Sequence, residues 1–209
     1  MYSSQATLRF GAPLEQARGA VILLHGRGSS AENIAGLADA LDASGVAFLA
    51  PSAAHGTWYP ERFFVPLERN EPSLSTALAR VESLVTETLA VRFPAEKIGI
   101  IGFSQGACLA LEHLVRSGRR YGFVGGLSGA LIGPLDTPRP ARDMRQTPVL
   151  LGCAEHDPHI PREYVDDSAE RLTTMNALVT KHIFPGSAHT VFPEEVAWLN
   201  DQLVRWPPA

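Results

Sequence analysis

Gly102-Phe103-Ser104-Gln105-Gly106 decides the reading of this chain. An apolar run, Ile98-Gly99-Ile100-Ile101, leads into it, and a helix-like run, Ala107-Cys108-Leu109-Ala110-Leu111, leads out. Gly-x-Ser-x-Gly between a buried strand and a helix is a nucleophile elbow, a turn so tight that its serine is held strained with Oγ exposed. Glycines flank the serine because a side chain there would strike neighbouring backbone. A helix starting at the serine also aims its free N–H groups and dipole at a reacting carbonyl. The pentapeptide alone is a weak signal; the strand before it and the helix after it make it specific.

A nucleophilic serine needs a base and a group that orients the base. After such an elbow they follow in the order Asp or Glu, then His. The histidines downstream are His113, His156, His159, His182 and His189. His113 falls inside the helix after the elbow, and His182 inside a strand-like run, 178–184. His189 stands in Pro185-Gly186-Ser187-Ala188-His189-Thr190, a loop after that strand and before a last helix, where a base can reach the elbow. Pro148-Val149-Leu150-Leu151-Gly152-Cys153 reads as the preceding strand. Its exit loop carries Asp157, with Glu155 as the competing acid, and the Asp157-Pro158 pair favours a rigid turn that would aim the carboxylate. His156, Asp157 and His159 also admit a metal reading. They crowd one loop with no helical or Cys-rich spacing to organise them, so no metal is expected.

Val21-Ile22-Leu23-Leu24-His25-Gly26-Arg27-Gly28 is an apolar strand running into a His-Gly-x-Gly turn. It offers the Arg27 N–H as partner to the Gln105 N–H in an oxyanion hole, with His25 as a structural residue beneath. The segment 53–72 is long and irregular and holds Trp58, Tyr59, Phe63 and Phe64 among prolines and charges. Trp58 foremost, then Phe63 and Phe64, are expected to wall a substrate pocket, with Arg27 and Arg62 at its rim. The competing reading is a small satellite core that only packs the loop down.

These pieces carry a resemblance. Leu24-His25-Gly26-Arg27-Gly28-Ser29, Trp58-Tyr59-Pro60, Gly102-Phe103-Ser104-Gln105-Gly106-Ala107, Asp157-Pro158-His159-Ile160-Pro161 and Pro185-Gly186-Ser187-Ala188-His189-Thr190 span most of the chain. On them it resembles the phospholipase/carboxylesterase family of small α/β-hydrolases, which includes bacterial carboxylesterases and acyl-protein thioesterases. The resemblance implies a triad of Ser104, Asp157 and His189, an oxyanion hole on the amides of Arg27 and Gln105, and no cofactor. It implies hydrolysis of a small-molecule ester through an acyl-enzyme, with a thioester or lysophospholipid as the alternative substrate. A ligand-binding protein on a hydrolase scaffold is disfavoured by the complete set of parts. Many thioesterase members carry Leu where this chain has Arg27, and the segment with Arg62, Phe63 and Phe64 is this chain's own. Those departures change the rim and acyl groove and point to small or medium soluble esters.

Strands and helices alternate, which predicts one α/β domain over 1–209: a mainly parallel sheet with helices on both faces and no separate lid domain. Strands are expected at 7–10, 20–24, 46–50, 98–103, 123–127, 149–151 and 178–184. Helices are expected at 30–43, 73–92, after the elbow, and from Pro193, with Val196, Leu199, Leu203 and Trp206 toward the sheet. The stretch 133–148 reads as an exposed connection. A length of 209 residues suits one sizeable core, and apolar and charged fractions of 45% and 19% are those of an ordinary globular enzyme. A formal charge of −4 without a Lys/Arg cluster argues against a nucleic-acid partner. No apolar run approaches the roughly 20 residues that span a bilayer, so no stable membrane insertion is expected. The start, Met1-Tyr2-Ser3-Ser4-Gln5-Ala6-Thr7, lacks the basic and apolar parts of a signal peptide, which leads to an expected cytoplasmic location. Cys108 and Cys153 read as small buried residues, not a disulfide. Nothing in the sequence sets an oligomeric state.

Overall fold

A computed structural model describes residues 6–91 and 93–207. Seven strands form one sheet: β1 (Thr7–Gly11), β2 (Gly19–Leu24), β3 (Val46–Pro51), β4 (Ile98–Phe103), β5 (Phe123–Leu127), β6 (Pro148–Ala154) and β7 (Leu178–Phe184). Their spatial order is β1-β3-β2-β4-β5-β6-β7. Only the edge strand β1 runs antiparallel, pairing with β3; every other neighbouring pair is parallel.

Alternate side chains of a strand point to opposite faces, so a continuously apolar strand feeds two cores. In β2, Ala20, Ile22 and Leu24 enter one core while Val21 and Leu23 enter the other. The first core is closed by α2 (Ser73–Val91), α3 (Gln105–Ser117) and α4 (Arg162–Thr174), through Leu74, Val81, Leu109 and Leu172. The second is closed by α1 (Ala31–Ala35) and α5 (Pro193–Val204), through Ile34, Leu199 and Leu203. This is a single-domain α/β-hydrolase fold, and the sheet is covered on both faces as the alternation predicts.

Three expectations change. The helix foreseen over 30–43 is one turn of α-helix, α1, capped by the Ser30 side chain and followed by a 3-10 stretch, Gly36–Ala40. Gly36 sits at the junction, where a residue of low helix propensity weakens propagation; Ile34 and Leu41 are still buried. The helix foreseen over 73–92 ends at Val91, and Arg92, like Met1 to Gln5, lies outside the described residues. The connection 133–148 is not simply exposed. Its Met144 is fully buried, and Arg139 reaches in to pair with Glu112 of α3 and to bond Ile132 O. Glu112 also holds Arg116, so its buried carboxylate meets two guanidinium groups; removing Glu112 would strand the buried Arg139 guanidinium.

Candidate active site

Parallel strands bring their C-terminal ends to one edge, and every candidate residue departs from that edge. The elbow follows β4. Ser104 has φ 54° and ψ −117°, a conformation costly for a residue with a side chain. Its N–H donates to Leu127 O at 2.9 Å, and its C=O accepts from Cys108 N at 3.1 Å, which locks the turn between β5 and α3. The flanking glycines are steric necessities. A Cβ on Gly102 would come within 2.1 Å of Gly106 O, and one on Gly106 within 2.1 Å of Leu24 O.

His189 follows β7 and Asp157 follows β6. The Nδ1 of His189 lies 2.7 Å from Asp157 Oδ2. Asp157 Oδ1 accepts from the N–H groups of His159 (2.8 Å) and Ile160 (3.1 Å), so the loop itself aims the carboxylate. The carboxylate is fully buried and the imidazole part-buried, with its ring against Phe103 and His159. Glu155, two residues away, is exposed and pairs with Arg162 at 3.3 Å. Among the described residues, no group of three or more His, Cys, Asp or Glu is placed to hold a metal ion.

The turn after β2 is fixed by Gly28 N–H donating to Gly56 O at 2.8 Å and Ser29 N–H donating to Gly26 O at 3.2 Å. His25 lies fully buried beneath it. Its Nε2 accepts from Ala53 N–H at 3.0 Å while Nδ1 lies 2.7 Å from Gly26 O. A carbonyl needs a donor, so the proton sits on Nδ1. Burial lowers the pKa of this histidine, which favours the same neutral state. The Gln105 amide is the first of α3, where helical geometry supplies no acceptor.

Ser104, His189, Arg27 and Gln105 all line one cavity of about 520 Å³. Ser29, Asn33, Tyr59, Arg62, Phe63, Phe103, Cys108, His159 and Ile160 complete most of its wall. Of the three aromatics expected to wall a pocket, only Phe63 does. Trp58 lies beneath the 25–28 turn, its Nε1–H donating to His25 O at 2.8 Å and its ring against the His25 imidazole. Phe64 packs on Phe63 and on Tyr164 of α4. Neither lines the cavity: Trp58 belongs to the first core and Phe64 packs against it, so the loop is anchored in the main core and not in a separate satellite. Cys108 and Cys153 are free and buried, and burial pushes both thiols up to about 12.

The loop over the site is tied down by polar contacts that no sequence pattern announces. The Gln105 side chain accepts from Trp58 N–H at 3.0 Å and donates to Tyr59 O at 2.7 Å. The Arg27 guanidinium donates to Pro60 O and Glu61 O. Buried Asn70 accepts from Glu61 N–H and donates to Arg62 O. Gln105 is expected to supply an amide and Arg27 an amide and a rim charge; the side chains of both also bond the loop over the cavity.

Fold and site together define an α/β-hydrolase with a strained elbow serine and a paired His and Asp at the C-terminal edge of its sheet. The chain belongs to the phospholipase/carboxylesterase family, whose model matches residues 8–206. It is similar to acyl-protein thioesterase 1 of Gibberella zeae, with 32% identity over 146 residues. That match takes in 66% of this chain and 62% of the relative's own length. Acyl-protein thioesterase 1 of Saccharomyces cerevisiae is 28% identical over 90% of this chain and 93% of its own. A solved phospholipase/carboxylesterase from Dyadobacter fermentans superposes with TM-score 0.91 at 38% identity, covering 98% of this chain and 99% of that one.

Proposed function

We propose that this protein hydrolyses carboxylic esters through an acyl-enzyme on Ser104. The observation that carries the reading is the His189 Nδ1 to Asp157 Oδ2 contact of 2.7 Å at a cavity that Ser104 and His189 share. With Nδ1 on Asp157, the second ring nitrogen, Nε2, is left to take the serine proton. Ser104 Oγ attacks the carbonyl carbon, and its proton passes to Nε2. Asp157 holds the tautomer and offsets the imidazolium charge. The amides of Arg27 and Gln105 hold the oxyanion, a contribution worth roughly 100- to 1,000-fold per donor in such sites. The intermediate collapses as His189 gives the proton to the departing alcohol, leaving the acyl group on Oγ. A water molecule, deprotonated by His189, then releases the acid and restores the serine.

The cavity supports small or medium esters. Its apolar wall is short, formed by Phe63, Phe103 and Ile160, and the polar side chains of Arg27, Ser29, Asn33 and Arg62 line it as well. The relatives named acyl-protein thioesterase 1 favour a second reading, thioester cleavage by the same residues. No helix among the described residues is long and apolar enough to cross a membrane, and the proposed setting is the cytoplasm, in keeping with two free cysteines. Matched short-chain aryl esters and thioesters, offered to wild type and Ser104→Ala, test the proposal. Wild type should turn over the ester faster than the thioester, and Ser104→Ala should fall to background. Full activity in the variant would refute it.

A further inference from the structure

The cavity around Ser104 is lined by two guanidinium groups, Arg27 and Arg62, together with His159 and His189, and by no aspartate or glutamate. The whole chain, by contrast, carries a formal charge of −4. The positive lining is therefore a local arrangement, against the charge of the molecule.

Among the described residues, no carboxylate pairs with either guanidinium. Arg27 donates to two backbone carbonyls, Pro60 O and Glu61 O, with Tyr59's ring 6.0 Å below. The carboxylate of Glu61 turns instead to Arg69, 3.2 Å away. Arg62 forms no ion pair among the described residues; it rests over Phe64 at 5.6 Å. Its backbone is fixed by Asn70 Nδ2 donating to Arg62 O at 3.1 Å, so the side chain starts from a set point at the cavity mouth. Carbonyl and ring partners leave the cationic charge in place.

We propose that the cleft selects esters bearing a negative charge away from the scissile bond, with Arg62 as the specificity-determining cation and Arg27 reinforcing its field. This rests on the ester-hydrolase reading of the same site. A carboxylate or a phosphate would satisfy a guanidinium equally as a class, since both accept its paired N–H groups.

The test uses p-nitrophenyl esters of one chain length with three ends: a methyl group, a carboxylate and a phosphate monoester. The ratio of kcat/KM for each charged substrate to the neutral one is the readout. At least one charged substrate should exceed the neutral one by about tenfold at low salt, and the ratio should shrink as salt rises. Arg62→Gln should bring that ratio near one, and Arg62→Lys should restore part of it. Whichever charged arm leads identifies the anion. Ratios of one or below in wild type, or ratios unmoved by Arg62→Gln, overturn the charge proposal while leaving the esterase standing. Failure of all three esters to react above the Ser104→Ala background overturns the esterase reading itself.

Discussion

Glu195→Gln should abolish a pH dependence of stability that Glu195 alone creates. Glu195 lies in the first turn of α5 and is fully buried. Its Oε2 accepts from Phe192 N–H at 2.7 Å, while Oε1 has no partner and lies so close to Gly152 that a Cβ there would come within 1.8 Å. Burial pushes its pKa up to about 7 from an ordinary 4.5; the Phe192 N–H pulls it down but does not prevail. The folded chain thus keeps a proton that the unfolded chain gives up in this range. The stabilisation is fully present below pH 4.5 and is lost as pH rises through 7. At about 1.4 kcal/mol per pH unit of separation, the loss between pH 5 and pH 8 is about 2–3 kcal/mol. Glutamine stays neutral throughout and keeps an oxygen for Phe192 N–H. Any cost of its unpartnered amide lowers both ends of the range alike. The quantity to follow is the stability of the variant minus that of wild type, from urea unfolding at several pH values. His25 and His113, whose burial lowers their pKa values, titrate the other way, but both chains carry them and the difference removes them. That difference should rise by about 2–3 kcal/mol from pH 5 to pH 8, or roughly 5–10 °C in Tm for a chain of this size. Parallel curves would refute the placement of an ionisable, uncompensated carboxyl against Gly152 of β6.

Asp157→Asn should lower kcat by roughly three to four orders of magnitude, and Glu155→Gln by less than about threefold, because Glu155 faces Arg162 at the surface. Steady-state rates on one aryl ester compare them, and a reversed order would make Glu155 the acid. Trp58→Ala should cost about 3–5 kcal/mol of stability and reduce kcat without reshaping chain-length preference, since the ring lies under the 25–28 turn and not in the cavity. Denaturant midpoints and kcat/KM along an acyl series show whether it instead flattens the profile, as a pocket wall would. Along that series, each buried methylene adds about 0.8 kcal/mol, roughly fourfold, until the apolar wall of Phe63, Phe103 and Ile160 ends. Efficiency should peak at short or medium chains; a rise continuing to palmitoyl length would favour a lipid-directed enzyme.

Much of this architecture was legible because it is written locally. The elbow advertises itself through two glycines whose Cβ positions are blocked by backbone, and the buried strands through runs such as Ala20 to Leu24 that serve two cores at once. His189 and Asp157 were legible by position, each at the exit of a strand on the same sheet edge. The pocket wall was not. Trp58, Phe63 and Phe64 share one irregular segment, and sequence offers no period by which to tell which ring turns to the cavity and which to Tyr164 or His25. The roof contacts made by Gln105, Arg27 and Asn70 join residues up to 47 positions apart, and hydrogen bonds of that reach leave no spacing to read. Glu195 was equally hidden. Its place in the first turn of α5 suggests only a favourable dipole, and its burial depends on Gly152 of a distant strand.

The covalent intermediate gives the most direct test of the central claim. Wild type mixed rapidly with an excess of an activated aryl ester, quenched in acid and digested, should show one acyl group on the peptide containing Ser104. Ser104→Ala should show none. An adduct on another residue, or steady turnover with no adduct under conditions where acyl transfer outpaces hydrolysis, would contradict the account.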